Sequence, residues 1–380
     1  MKKVILQVLK LILALAGGGA IGVIIALLFT GTSVSEFLSK LTHVDWVETG
    51  GAGLFSILCA FIAMGIHTII HEAGHLIAGL MSGYKFLLFR IGSLTLIHSD
   101  GKYQLKKFPL EGTGGQCLMI PPQLPIESIP TKLYNLGGVL INILCSALAI
   151  IIALTSNNVW VTIAFLLFAL IGFIFAAFNG IPMKIGGISN DGKNVQFLDK
   201  DTLSKKAFIN QLMIHAITQQ GTRPRDIPDE YLTFSTNIDF KDALQVNWLL
   251  MSAVTLMDRR EYEASYQILD TIIQHESEVL GLFAKETKCE LVFASLITGR
   301  IDQANKLYSD EIASYAQQYH KTMSNKLRLL CATALYIEGN TEKAHLLQEQ
   351  IIANRNKYLM QGEVLMDIDL IEEILSDKKP

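Results

Sequence analysis

Four long apolar runs constrain this chain more than any other feature. They extend from about Val4 to Phe29, Gly51 to Met81, Leu133 to Leu154 and Val159 to Phe178. About 20 apolar residues in a helix cross the hydrocarbon core of a bilayer. Helices and closed barrels alone satisfy their backbone hydrogen bonds there. Each run therefore predicts a transmembrane helix. The first imitates a secretory signal, with Lys2 and Lys3 ahead of it and Ala14-Leu15-Ala16 resembling a cleavage site. Its apolar stretch continues well past that point, so it is read as a retained helix. Ala16, Gly18, Ala20 and Gly22 on that run permit close helix packing.

Basic residues set the expected orientation. Lys2, Lys3 and Lys10 flank the start of the first run; only Lys40 lies between the first and second; Lys85, Arg90, Lys102, Lys106, Lys107 and Lys132 lie between the second and third; Lys184 and Lys193 follow the fourth. Every basic cluster falls on one side if both termini are cytoplasmic. The predicted location is thus a multi-pass protein of a bacterial plasma membrane. Charge is unevenly distributed: only 18% of residues are Asp, Glu, Lys or Arg, against about 25% in soluble proteins, and the deficit lies before about Asp191. A net charge of −3 gives no reason to expect nucleic acid. Cys59, Cys117, Cys145, Cys289 and Cys331 show no CxxC spacing and read as unpaired, buried thiols.

Near the end of the second run stands His71-Glu72-Ala73-Gly74-His75. On a helix, positions i and i+4 share a face, about 6 Å apart. Two imidazoles so placed can reach one tetrahedral Zn²⁺ at about 2.0–2.1 Å. Glu72, adjacent, is placed as general base toward a metal-activated water. At about 1.5 Å per residue, His71 lies about 30 Å into the run and His75 about 8 Å short of its end. Ionisable groups inside a bilayer cost on the order of a few kcal/mol each and are functional by default. The bland alternative is a His–Glu–His cluster that joins helices. His67, one turn earlier on the same face, is a decoy for a ligand and is left out of the set.

Zinc needs a third protein ligand. After the fourth run comes Asn179-Gly-Ile-Pro182-Met-Lys-Ile-Gly186-Gly187-Ile-Ser-Asn190-Asp191-Gly192. Pro182 stops the helix and the glycine pair frees the backbone. Asp191 is the carboxylate of this segment, and the segment returns to the side where the histidines lie. Alone, Asn-Asp-Gly is a turn signal; beside H-E-x-x-H, Asp191 reads as the third ligand.

These residues resemble the site-2 protease family of intramembrane metalloproteases. That family pairs H-E-x-x-H on one membrane helix with Asn-x-x-Pro…Asp-Gly on a later one, matched here by His71, Glu72, His75, Asn179, Pro182, Asp191 and Gly192. Leu136-Gly137-Gly138-Val139-Leu140-Ile141-Asn142 is similar to the family's Gly-rich stretch ending in a polar residue. The resemblance covers roughly residues 51–194. It implies a three-helix catalytic core with zinc on His71, His75 and Asp191. One departure stands out: Asp191 follows Asn179 by twelve positions, a longer interval than is common in the family. No PDZ-like insert and no CBS pattern is visible.

The stretch between the second and third runs holds alternating residues around Asp100-Gly101, read as a β-hairpin. A further strand runs over Gly114-Gly115-Gln116-Cys117-Leu118-Met119-Ile120, closed by Pro121-Pro122. The resemblance implies that this strand lies beside the metal. A membrane helix hides its carbonyls in its own hydrogen bonds, so it must unwind before cleavage, and an exposed strand can pair with the unwound peptide. Gly115 and Gln116 are therefore candidate substrate-binding residues. Asn142 and Asn179 are candidates for substrate backbone or the oxyanion, with helix packing the equally open alternative.

From Ser204 onward the chain reads helical. Ala264, Ala304 and Ala344 recur every 40 residues, each after a turn and an apolar helix, similar to degenerate tetratricopeptide-like repeats. They predict either a docking surface for a cytoplasmic protein or peptide, or a stabilising cap. The expected fold is an α-helical membrane protein: four transmembrane helices with a small β-hairpin insert, then a soluble all-α helical-repeat domain. Domain boundaries are expected at 1–50 (first helix and outer loop), 51–195 (catalytic core) and 196–380 (cytoplasmic repeats). The function read from this is hydrolysis of a membrane-embedded or membrane-associated peptide near the cytoplasmic face. The alternative is a catalytically inactive, membrane-anchored scaffold that docks a partner through its repeats.

Overall fold

A computed structural model describes residues 46–99, 101–108, 114–235 and 237–376. The run from Val4 to Phe29 lies outside these residues. The chain separates into two compact units, Met1–Phe61 and Ile62–Pro380, and apart from the leading part of the first helix the described elements lie in the second.

Among the described residues, three helices are long and apolar enough to cross a membrane. They are α1 (Trp46–Met81), α2 (Lys132–Thr155) and α3 (Val159–Gly180). They match the second, third and fourth apolar runs. Asn158 caps α3, its side chain accepting from the N–H groups of Trp160 and Val161. Small residues set the spacing of α1 and α2. A Cβ on Gly74 would stand 2.3 Å from the Gly137 carbonyl oxygen, and one on Gly137 would stand 2.2 Å from that of Gly74. The two backbones touch at Gly74, between the two histidines, which is the physical content of the Gly-rich stretch on α2.

The segment between α1 and α2 forms more than a hairpin. Strands β1 (Lys85–Ile91), β2 (Leu94–Ser99), β3 (Lys102–Lys107) and β4 (Gly115–Ile120) make one antiparallel sheet in the order β3-β2-β1-β4. The run at Phe86 is thus a strand, which supplies the partner for Gly115–Ile120: Phe89 pairs Cys117, Arg90 pairs Gln116 and Ile91 pairs Gly115. Tight turns at Gly92 (φ 57°) and Gly101 (φ 70°) use the left-handed region that glycine enters freely. Leu87, Leu88 and Ile97 are buried with Ala216. Cys117 and Met119 are buried with Tyr84, Tyr134, Ile209 and Leu212.

Past α3 a two-stranded hairpin, β5 (Lys184–Ile185) with β6 (Ile188–Ser189), leads into the short helix α4 (Asp191–Phe197). Among the described residues nine α-helices follow: α5 (Thr202–Gln219), α6 (Ala243–Asp258), α7 (Tyr262–Gln274), α8 (Gly281–Ile297), α9 (Ile301–Leu307), α10 (Asp310–Tyr319), α11 (Ser324–Tyr336), α12 (Thr341–Asn354) and α13 (Gln361–Ser376). The pairs α6–α7, α8–α9 and α11–α12 share one turn geometry. Each turn has a residue with positive φ (Arg260, Gly299, Gly339), and five positions on a small residue is fully buried at the crossing. In the second and third pairs it is Ala304 and Ala344; in the first it is Ser265, not Ala264, which is half-buried. The exact 40-residue recurrence of alanines is therefore off by one in its first member. Ser265 tolerates burial because its hydroxyl donates to the Ala253 carbonyl at 2.8 Å.

Candidate metal centre

The centre is assembled from four elements. His71 and His75 project from one face of α1, as their spacing requires, and both are 8% exposed. Asp191 opens α4. Its Oδ2 lies 3.1 Å from His71 Nε2 and 3.3 Å from His75 Nε2, and the two Nε2 atoms are 3.1 Å apart. Among the described residues, these three form the cluster of His, Cys, Asp and Glu able to hold a metal ion.

The protonation of the rings decides what such a cluster is for. The carbonyl of Tyr134 can only accept, so His75 Nδ1, 2.8 Å away, carries the hydrogen, and in the neutral ring, the form that binds a metal, Nε2 holds the lone pair. Asp191 Oδ2 receives no hydrogen bond although it is buried. Lone pairs packed together without a proton between them repel; a cation in their midst removes the conflict. The spacing fits as well. Two ligand atoms about 2.0–2.1 Å from a tetrahedral zinc lie about 3.3 Å apart. The residues present therefore suit a zinc ion.

The longer interval between Asn179 and Asp191 has a simple form. The surplus residues make the β5–β6 hairpin, turned by Gly186 (φ 58°) and Gly187 (φ 89°), so the chain leaves and returns to the same point. Asn190 locks the return. Its Nδ2 donates to the carbonyls of Phe178 (2.6 Å) and Ile181 (2.7 Å), while its Oδ1 accepts from the N–H groups of Met183 (3.1 Å) and Lys193 (2.9 Å). Gly192 lets α4 pack on the end of α3: a Cβ there would stand 2.0 Å from the Gly180 carbonyl oxygen. Asn194 ties α4 to α2 by donating to Asn135 Oδ1 at 3.0 Å.

Glu72 is 9% exposed, next to His71, and faces the start of β4. A Cβ on Gly115 would lie 2.6 Å from Glu72 Cγ and 2.8 Å from its Oε1. Among the described residues β4 pairs on one side only, with β1. Its Met119 end is buried against Ile209 and Leu212 of α5, whereas Gly115 and Gln116 are half-buried.

Three site residues escaped sequence reasoning. Arg90 is wholly buried on β1 and donates to the carbonyls of Gly92 (2.8 Å) and Gly115 (3.5 Å), which steadies the strand end at Glu72. Tyr134 holds His75 by its carbonyl and β4 by its hydroxyl, which donates to the Cys117 carbonyl at 2.8 Å. Asn190 was read as part of a turn. The other two candidates, Asn179 and Asn142, make contacts within the protein. Asn179 donates to the Phe175 carbonyl of its own helix at 3.0 Å. Asn142 is fully buried between two histidines, its Nδ2 3.3 Å from His71 Nδ1 and its Oδ1 3.2 Å from His67 Nδ1. His67 does not join the cluster.

No curated protein and no solved structure matches the chain. A family model does, over residues 59–337, and this span includes every element of the centre. Its description is peptidase family M50, the site-2 protease family, whose members are intramembrane metalloproteases and generally zinc-dependent. With that match, the paired histidines, the returning aspartate and the three apolar helices have one explanation: this chain belongs to peptidase family M50.

Proposed function

We propose that this chain is a zinc-dependent intramembrane endopeptidase that cuts a membrane-embedded or membrane-associated peptide or protein precursor near the cytoplasmic face. The observation that carries the reading is the convergence of His71 Nε2, His75 Nε2 and Asp191 Oδ2 at 3.1–3.3 Å, with the hydrogen of His75 committed to Tyr134. Those three residues would hold the ion. When bound, zinc supplies a Lewis acid and acidifies water at the site.

The chain's own groups do the rest. Glu72 takes a proton from the attacking water and returns it to the leaving amine as the peptide bond breaks. The Gly115–Gln116 end of β4 receives the unwound substrate as an added strand, which brings its carbonyl beside Glu72. Arg90 and Tyr134 keep that strand in register with the metal centre. The helical region from Thr202 is proposed to lie in the cytoplasm, with both termini, and to offer a surface for a partner protein or peptide. An intact Glu72 beside an intact ligand set supports an enzyme over an inactive scaffold.

The test is zinc content and cleavage measured together. Wild type, Glu72→Gln and Asp191→Ala are purified in detergent, assayed for zinc by mass spectrometry and incubated with a panel of single-span membrane peptides. The reading expects about one zinc per chain in wild type and Glu72→Gln, cleavage by wild type alone, and loss of zinc in Asp191→Ala. A wild type without zinc after metal reconstitution refutes it.

A further inference from the structure

Behind His71 a chain of buried polar groups crosses the three membrane helices. His67 Nε2 lies 2.9 Å from the carbonyl oxygen of Phe168 on α3; His67 Nδ1 lies 3.2 Å from Oδ1 of Asn142 on α2; Nδ2 of that amide lies 3.3 Å from His71 Nδ1. His67 and Asn142 are 0% exposed. Polar groups buried this deeply serve a purpose or cost stability.

The far end of the chain settles every proton in it. A carbonyl oxygen only accepts, so His67 Nε2 carries the hydrogen and His67 Nδ1 holds a lone pair. With His67 neutral, Asn142 must then turn its NH2 to His67 and its oxygen to His71, the reverse of the placement above, since the oxygen and nitrogen of an amide are assigned from their partners. The oxygen accepts from His71 Nδ1–H. His71 is left with its lone pair on Nε2, the atom that meets His75 and Asp191. The opposite amide orientation would set two lone pairs face to face at Phe168 and put a hydrogen on His71 Nε2, in the middle of the ligand cluster. One arrangement satisfies all four groups, and it is the one that readies His71 for a metal.

The packing around the chain is built for these rings. A Cβ on Gly138 would stand 2.5 Å from His71 Nδ1, and a Cβ on Gly172 would stand 2.2 Å from His67 Cε1. Both glycines leave room for an imidazole that no other residue would leave. His67 also lies against Phe168, ring centroids 4.1 Å apart.

We infer that Asn142 and His67 are positioning residues that fix the tautomer and ring orientation of His71, with the Phe168 carbonyl as their anchor, rather than groups that touch substrate or the oxyanion. The inference rests on the proposed zinc site. Partners behind a metal-bound histidine orient it, and their loss costs about 10–100-fold in metal affinity or activity. A residue that contacts only substrate would leave metal affinity alone.

The test measures zinc affinity by chelator competition on the full-length chain in detergent, with thermal unfolding as a check on the fold. Asn142→Leu, similar in shape but without polar atoms, is expected to weaken zinc about 10–100-fold. Asn142→Asp keeps an acceptor for His71 Nδ1–H and is expected to hold zinc within a fewfold of wild type. His67→Phe, which breaks the chain one link further back, is expected to fall between them. Nitrogen-15 spectra of histidine-labelled, zinc-loaded wild type provide a readout that needs no variant: His71 is expected as the Nδ1–H tautomer. A folded Asn142→Leu with wild-type zinc affinity, or an Nε2–H tautomer at His71, overturns the inference while the zinc site stands. A wild type that binds no zinc refutes the zinc reading itself.

Discussion

Replacing Gly192 with alanine adds one carbon where the backbone leaves no room. The new Cβ would lie 2.0 Å from the Gly180 carbonyl oxygen and 3.2 Å from that of Asn179, and real Cβ contacts do not fall below 3.0 Å. The obstacle is main chain at the end of α3, which cannot rotate aside as a side chain would, so α4 must retreat by about 1 Å. Asp191 is the residue before Gly192 and moves with it. Ligand distances in a metal site hold to about ±0.2 Å, so a shift of this size takes the carboxylate out of reach. The global cost of such overpacking is only about 1–3 kcal/mol, so the chain still folds. The expected result is a folded protein whose zinc affinity falls at least about 100-fold, beyond the range caused by groups behind the ligands. Chelator competition on purified protein reads the affinity, and thermal unfolding checks the fold. Gly65→Ala is the control: it lies on the same α1 as the histidines, and its Cβ would meet nothing within 4 Å. A folded Gly192→Ala that binds zinc as Gly65→Ala does would refute the reasoning, because Asp191 would then not be held by this contact.

Three further outcomes are expected. Gly115→Ala pushes against Glu72 Cγ and Oε1, a flexible side chain rather than backbone; zinc content should stay at wild type while kcat drops about 10-fold or more, the scale of a misplaced proton-transfer group. Asn190→Ala removes four hydrogen bonds that pin the start of α4, each worth about 1 kcal/mol, so zinc affinity should fall with little change in helix content by circular dichroism. His215 on α5 is half-buried, its Nδ1 unpartnered, and burial holds its pKa down to about 4 from 6.5. The neutral ring is favoured in the fold, so its contribution is present in full above pH 6.5 and lost as pH falls toward 4. Thermal midpoints of wild type should drop over that window, and His215→Leu should flatten the drop; a wild type with a level midpoint from pH 7 to 4.5 would contradict this.

What can be read from a sequence is what depends on neighbours along the chain. The three described membrane helices follow from apolar length alone. His71 and His75 are legible because i and i+4 share a helix face wherever the helix sits. The strand over Gly115–Ile120 was legible for the same local reason, though its partner at Lys85–Ile91 was not, because continuous apolar runs do not reveal their pairing. The helical hairpins past Thr202 were visible as a period, but counting alanines missed that Ser265 fills the first crossing: a buried hydroxyl passes when a carbonyl is near, and that carbonyl, Ala253, is known only in three dimensions.

The sequence by itself determined the candidate ligand residues, the shared helix face of the two histidines and the apolar helices, all of which rest on local spacing and composition. Only the tertiary structure decided how the ligands are made ready. Asn142 sits 71 positions from His71 and 75 from His67, and Asn190 reaches back 12 to Phe178. No periodicity links such residues. Whether a buried amide meets a substrate or a histidine is set by which helices the glycines at 74, 137, 138 and 172 allow to touch, and that contact exists only in the folded chain.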